Sequence, residues 1–114
     1  MTENQTELKQ RQGELFTRYK TLTPNIARAY DELPAEVFKD GALSGKSKRL
    51  MALTGALVHG CEACVLFQTE KALELGAGVE EILEACAVAI SLGGTMAAGE
   101  TTRVVQFLGE MGRI

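Results

Sequence analysis

Tryptophan is absent from this chain, and Phe and Tyr together make up only 5% of its 114 residues. The apolar content, 46% of the sequence, therefore rests on Ala, Leu, Val, Ile and Met, the residues of closely packed helices. Positive charge is not in excess: the net charge is −3, with both signs interspersed. A nucleic-acid binder needs a basic face to neutralise phosphates, so no nucleic-acid partner is expected. No apolar run approaches the roughly eighteen residues of a membrane span. The stretch from Met1 to Gln12 is polar and lacks the apolar centre of a secretory signal. These absences predict a cytoplasmic protein with no membrane partner. In that reducing compartment a close cysteine pair serves catalysis or metal binding more often than structure.

What is present suits one domain spanning 1–114, long enough to bury a core without metals or disulfide staples. Leu8, Leu15, Phe16, Tyr19 and Leu22 recur at helical spacing. Thr23-Pro24 reads as an N-cap with proline at the first helical position. Ile26, Ala27, Tyr30 and Leu33 form the inner face of a short second helix, broken by Pro34. One further turn follows, carrying Val37 and Phe38. Gly41 and Gly45 mark a loop. A third helix covers about Lys46 to Val58, apolar on nearly every side beyond Arg49, and Gly60 ends it. The next runs from about Cys61 to Leu75, stopped by Gly76 and Gly78. Glu80, Glu81 and Glu84 suit the positive end of a helix dipole. Behind them Val79, Ile82, Leu83, Cys86, Ala87 and Ile90 form an apolar stripe, with Ala85, Val88, Ala89 and Leu92 opposite. Gly93-Gly94 breaks that helix, and a last one runs from about Thr95 to Met111. No segment alternates at period two. The expected fold is all-α: a single compact domain of about six helices. Two of these are apolar all round, so they sit centrally and are covered by a second subunit.

The strongest chemical signal is Cys61-Glu62-Ala63-Cys64. Zinc and redox sites share this spacing. Gly60 stops one helix, so Cys61 lies at the cap of the next, where unpaired backbone N–H groups and the dipole stabilise a thiolate. The two cysteines are three apart on one face, which lets a disulfide close. Two buried structural cysteines, or a zinc site recruiting His59 and Cys86, are the alternatives. Cys86 lies on the apolar stripe and reads as structural. His59, the only histidine, reads as a surface or capping residue; the sharper reading is a general base for Cys61. Gln68, one turn after Cys64, can hydrogen-bond a thiol or a water but takes no proton at neutral pH. Lys46, Lys48 and Arg49 read as a solvated charge run with carboxylate partners or, more sharply, as cations near the thiolate.

From about Gly41 to Arg103 the chain resembles the carboxymuconolactone decarboxylase family, and within it the alkylhydroperoxidase D-like branch. The features that carry this are LSGKSKRLMALTGALVHGCEAC, then QTEKALELGAGVEEILEA, then the Gly-Gly step after AVAISL. The resemblance implies an all-helical homo-oligomer, a trimer or hexamer. It also implies reduction of a hydroperoxide substrate through the dithiol, with no cofactor or metal and with a dithiol protein as reductant. In that branch the second cysteine attacks and the first resolves, which gives attack to Cys64. The dipole argument favours Cys61, and the two assignments stay open. The branch carries a Glu twelve residues before the first cysteine and a His four after the second, forming a proton relay. Here those positions hold Arg49 and Gln68, neither of which is a general base. Arg49 as an electrostatic stabiliser, His59 as a substitute base, and water are the replacements. The other readings are a decarboxylating lyase, in which Lys48 and Arg49 bind carboxylates, and a non-catalytic helical oligomer with a vestigial motif.

Overall fold

The structure, a computed structural model, describes residues 3–114. Five helices follow one another: α1 (Gln5–Leu22), α2 (Pro24–Val37), α3 (Gly45–His59), α4 (Glu62–Glu74) and α5 (Val79–Glu110). Among the described residues there is no strand. Local chemistry sets most of the boundaries. Asn4 accepts the Glu7 N–H at 2.8 Å, Ser44 accepts the Ser47 N–H at 3.0 Å, and Pro24 starts α2 with its ring already at a helical φ.

The core lies between α3, α4 and α5. Leu53 and Leu57 of α3 meet Val65 and Ala72 of α4, and Ile82 and Val104 of α5. At Gly93 an added Cβ would come within 3.5 Å of the Val58 backbone. That glycine lets α5 pass close over α3, and so fixes the end of α3 that leads into the cysteine pair.

Several expectations need correction. Pro34 does not break α2, which continues to Val37. The missing proline N–H costs one intrahelical bond, and its carbonyl still accepts from Phe38 at 3.0 Å. Gly93-Gly94 bends α5 without ending it: Gly94 adopts φ 63°, ψ −140°, and helix resumes on the far side. Five elements therefore stand where about six were expected. The core face of α5 is Ile82, Ala85, Cys86 and Ala89, while Leu83 and Ile90 are exposed. A stretch of α5 with few charges and a mean hydropathy of 1.6 is long and apolar enough to cross a membrane by length and composition. Ser91, Gly93, Gly94 and Thr95 hid it by interrupting the apolar run without adding charge. The same helix supplies one wall of the core shared with α3 and α4.

The expected inner faces of α1 and α2 are not inner in one chain. Phe16 stacks on Tyr19 and meets Tyr30 edge-on. Leu15, Leu22, Ile26, Tyr30 and Leu33 are nonetheless exposed.

A carboxylate from the far end of the chain docks α1. Glu110 accepts the backbone N–H groups of Gln5 at 3.0 Å and Thr6 at 2.7 Å, and the Thr6 hydroxyl at 2.8 Å. These are helix-start donors with no intrahelical acceptor. Burial raises the Glu110 pKa, but the bonds from Gln5, Gln106 and Thr6 outweigh it and bring it from 4.5 down to about 2. A carboxyl with a depressed folded-state pKa stabilises above its unfolded value and loses that contribution as pH falls through the folded one. Docking of α1 is thus expected to weaken between about pH 4.5 and about pH 2. Amide protection factors in α1, taken against the intrinsic exchange rate at each pH, should fall over that window in the wild type. In Glu110→Gln they should start low and change little with pH.

Candidate functional site

Only Gly60 and Cys61 separate α3 from α4. Gly60 takes a left-handed φ of 76°, a backbone shape that favours glycine. Its N–H bonds to the Leu57 carbonyl at 3.3 Å, and the Cys61 N–H bonds to the Ala56 carbonyl at 3.1 Å. This is the Schellman close of a helix. Cys61 belongs to both helices: it receives the end of α3 and is the N-cap of α4.

At that cap the Cys61 Sγ accepts the backbone N–H of Cys64 at 3.2 Å. The two cysteines are joined as a disulfide, with Cα atoms 5.2 Å apart, inside the usual range for such a bond. Cys64 is exposed and Cys61 half-buried. Both line an open depression of about 390 Å³, with Ala52, Gly55, Ala56 and His59 of α3 and Gln68 of α4. The α3 wall is small and apolar, so the sulfurs, His59 and Gln68 supply the reactive and polar groups of this hollow.

Arg49 and Gln68 lie on facing helices and bond to each other: Arg49 Nη1 donates to Gln68 Oε1 at 3.1 Å. The guanidinium carbon sits 3.6 Å from the centroid of the Phe38 ring, within reach of a cation–π contact. Burial pulls the Arg49 pKa below its ordinary 12.5 and the charge of Glu74 pushes it back up. Arginine stays a cation and carries no acceptor. Arg49 does not itself line the depression; it acts on Gln68 from behind.

The other candidates separate. Lys46 pairs with Glu81 at 3.1 Å, and Lys48 donates to the Lys39 carbonyl at 2.6 Å, so neither faces the sulfurs. Cys86 is 2% exposed in the core. Burial raises its thiol pKa, against smaller lowering effects from Thr101 and its own backbone. It lies outside the depression, so the His59–Cys86 zinc arrangement is not assembled. Among the described residues no three His, Cys, Asp or Glu side chains gather closely enough to hold a metal ion.

Glu62, between the two cysteines, is held on both sides. Its carboxylate pairs with Arg103 at 3.1 Å and accepts from Gln12 at 3.1 Å. Arg103, 11% exposed, also donates to the buried Gln5 at 2.7 Å. α1 and α5 thus brace the first turn of α4. Sequence reasoning missed Gln12, Phe38 and Arg103, because each reaches the site from a distant part of the chain and none carries a local motif.

The family model for the carboxymuconolactone decarboxylase family matches residues 24–106. An uncharacterised protein of Cupriavidus necator is 34% identical over 92 residues, covering 78% of this chain and 81% of that protein. A crystal structure of a carboxymuconolactone decarboxylase family protein from Legionella pneumophila superposes with a TM-score of 0.88. It covers 96% of this chain and 97% of the other at 23% identity, a likeness of fold. A Thermotoga maritima protein superposes with a TM-score of 0.79 at 31% identity, covering 90% of each chain. A second crystal structure of this same Thermotoga maritima protein, a carboxymuconolactone decarboxylase family member with a possible involvement in antioxidative response, gives a TM-score of 0.71 at 33% identity. It covers 79% of this chain and 92% of the other.

Proposed function

Since this chain belongs to the carboxymuconolactone decarboxylase family, we propose that it is a thiol-dependent oxidoreductase, reducing hydroperoxides or exchanging with a partner disulfide through Cys61 and Cys64. The observation that carries this reading is an accessible cysteine pair at one helix entrance, bonded sulfur to sulfur beside an open hollow. The possible involvement of the Thermotoga maritima relative in antioxidative response points the same way.

The chemistry runs in two steps. The Cys64 thiolate, on the exposed residue, attacks the outer oxygen of a hydroperoxide. An S–O bond forms, the O–O bond breaks, and the alkoxide or hydroxide leaves and takes a proton from water. The Cys61 thiol then attacks the Cys64 sulfenic acid, a disulfide forms and water departs. The sulfurs have given up two electrons and the peroxide has gained them. An external dithiol protein returns the pair by thiol–disulfide exchange, which suits a reducing, cytoplasmic setting. The entrance of α4 favours this cycle, because its free N–H groups and dipole stabilise a thiolate. A homo-oligomer is part of the same reading, since it covers the apolar faces of α1 and α2.

Free-thiol titration tests the proposal. The reduced chain should offer Cys61 and Cys64, with the buried Cys86 reacting only on unfolding. One equivalent of hydroperoxide should remove both site thiols and leave a single intramolecular disulfide, seen by mass spectrometry. A thiol count unchanged by peroxide, and by an oxidised dithiol protein, would overturn it.

A further inference from the structure

Arg49 and Gln68 bond to each other across the α3–α4 interface. An arginine only donates, so its partner in this bond must be the Gln68 oxygen. Chemistry thereby fixes which way the side-chain amide faces. With Oε1 turned to Arg49, the Nε2 donors are the end of Gln68 left for the hollow it lines with both cysteines. Gln68 stands four residues after Cys64 on α4, a helical spacing that brings side chains together, with Cβ atoms about 5–6 Å apart.

We propose that Gln68 is a hydrogen-bond donor to the Cys64 sulfur and to the peroxide oxygen that replaces it as the centre of charge, and that Arg49 is the positioning residue that keeps the donor facing them. The proposal rests on the oxidoreductase reading and gives its site a different logic from base catalysis. A base removes the thiol proton. A fixed donor, backed by a cation, instead holds the anion once solvent has taken that proton. A hydrogen bond to the charged form favours it, and the same donor meets negative charge as it moves onto the departing oxygen. The Phe38 ring over Arg49 keeps the guanidinium in place from its other side.

The test reads the thiolate directly, in reduced chains carrying Cys61→Ser so that Cys64 is the site thiol; serine also preserves the N-cap. The titration is followed by thiolate absorbance and by the pH dependence of alkylation, neither of which needs peroxide turnover. Gln68→Leu should raise the Cys64 midpoint by about one unit and slow alkylation at neutral pH about tenfold, the loss expected when the charged form forfeits a hydrogen bond. Gln68→Met, a second neutral replacement, should do the same if the leucine variant folds poorly. Gln68→Glu retains an acceptor for Arg49 and adds a negative charge, so it should raise the midpoint further. A midpoint that moves for Glu but not for the folded neutral variant would mean that Cys64 senses charge there without taking a bond, and would overturn the proposal. A midpoint unmoved by any replacement would overturn it too. Either result leaves the oxidoreductase reading standing if wild-type thiols are still lost to peroxide, so the two failures are distinguishable.

Discussion

Cys64→Ser is expected to reduce hydroperoxide consumption to that of buffer, whereas Cys61→Ser is expected to keep the first oxidation and lose the disulfide. The asymmetry follows from placement. Cys64 is exposed at the hollow, while Cys61 is half-buried at the joint of two helices, with its sulfur already accepting the Cys64 N–H. An oxidant reaches Cys64 first. Without Cys64 the thiols left are Cys61, half-buried with its sulfur engaged at the cap, and Cys86, buried with its pKa raised. Without Cys61 the sulfenic acid on Cys64 forms but has no neighbour to close on. It should persist, react with a sulfenic-acid trap, and pass to sulfinic acid under excess peroxide. Stopped-flow oxidation of the reduced variants, followed by mass spectrometry of the trapped products, separates the steps. The reverse pattern, an inert Cys61→Ser beside an active Cys64→Ser, would hand attack to the N-cap thiol. The helix dipole alone would favour that outcome, so the experiment weighs accessibility against electrostatics.

The dithiol and its helix entrance were legible in the sequence because every part is local. Gly60 supplies the left-handed close, Cys61 the cap, and Cys64 the same face one turn on. The helices were legible from periodicity, though not all of their boundaries. A proline inside α2 and a glycine pair in α5 are strong breakers in isolation. Here Pro34 costs one bond near the end of α2, and Gly94 absorbs a bend that packing on α3 holds. Long-range pairings were not legible. The grip of Arg103 and Gln12 on Glu62 spans distant segments. So do the capping of α1 by Glu110 and the stacking of Phe38 on Arg49. Charge and ring identity alone give no partner. The positions of Arg49 and Gln68 were visible, but that they bond to each other required the α3–α4 packing.

Ile26→Asp with Leu33→Asp is expected to turn a homo-oligomer into a monomer whose α3–α5 core remains folded. Within one chain α2 packs only on α1, and its apolar side chains are left in water: Ile26 is 57% exposed, Tyr30 58% and Leu33 68%. Covering a large aliphatic or aromatic side chain is worth about 1.5–3 kcal/mol. Scaled to the exposed part of each side chain, the α1–α2 hairpin offers a gain of the same order as the roughly 4–15 kcal/mol that association costs. The same chain also leaves Met51, Leu83, Val88 and Leu92 of α3 and α5 exposed. Were one copy's hairpin to lie on another's α3–α5 face, the contact would be head-to-tail, the kind that forms a ring when its rotation closes. Two carboxylates buried unpaired in an apolar contact cost more than that contact returns. Neither position touches the core, so helix content and cysteine reactivity should persist in the monomer. Sedimentation of wild type and variant at matched concentration decides the matter. A monomeric wild type, or a double variant that sediments like its parent, would show that the hairpin does not hold the assembly together.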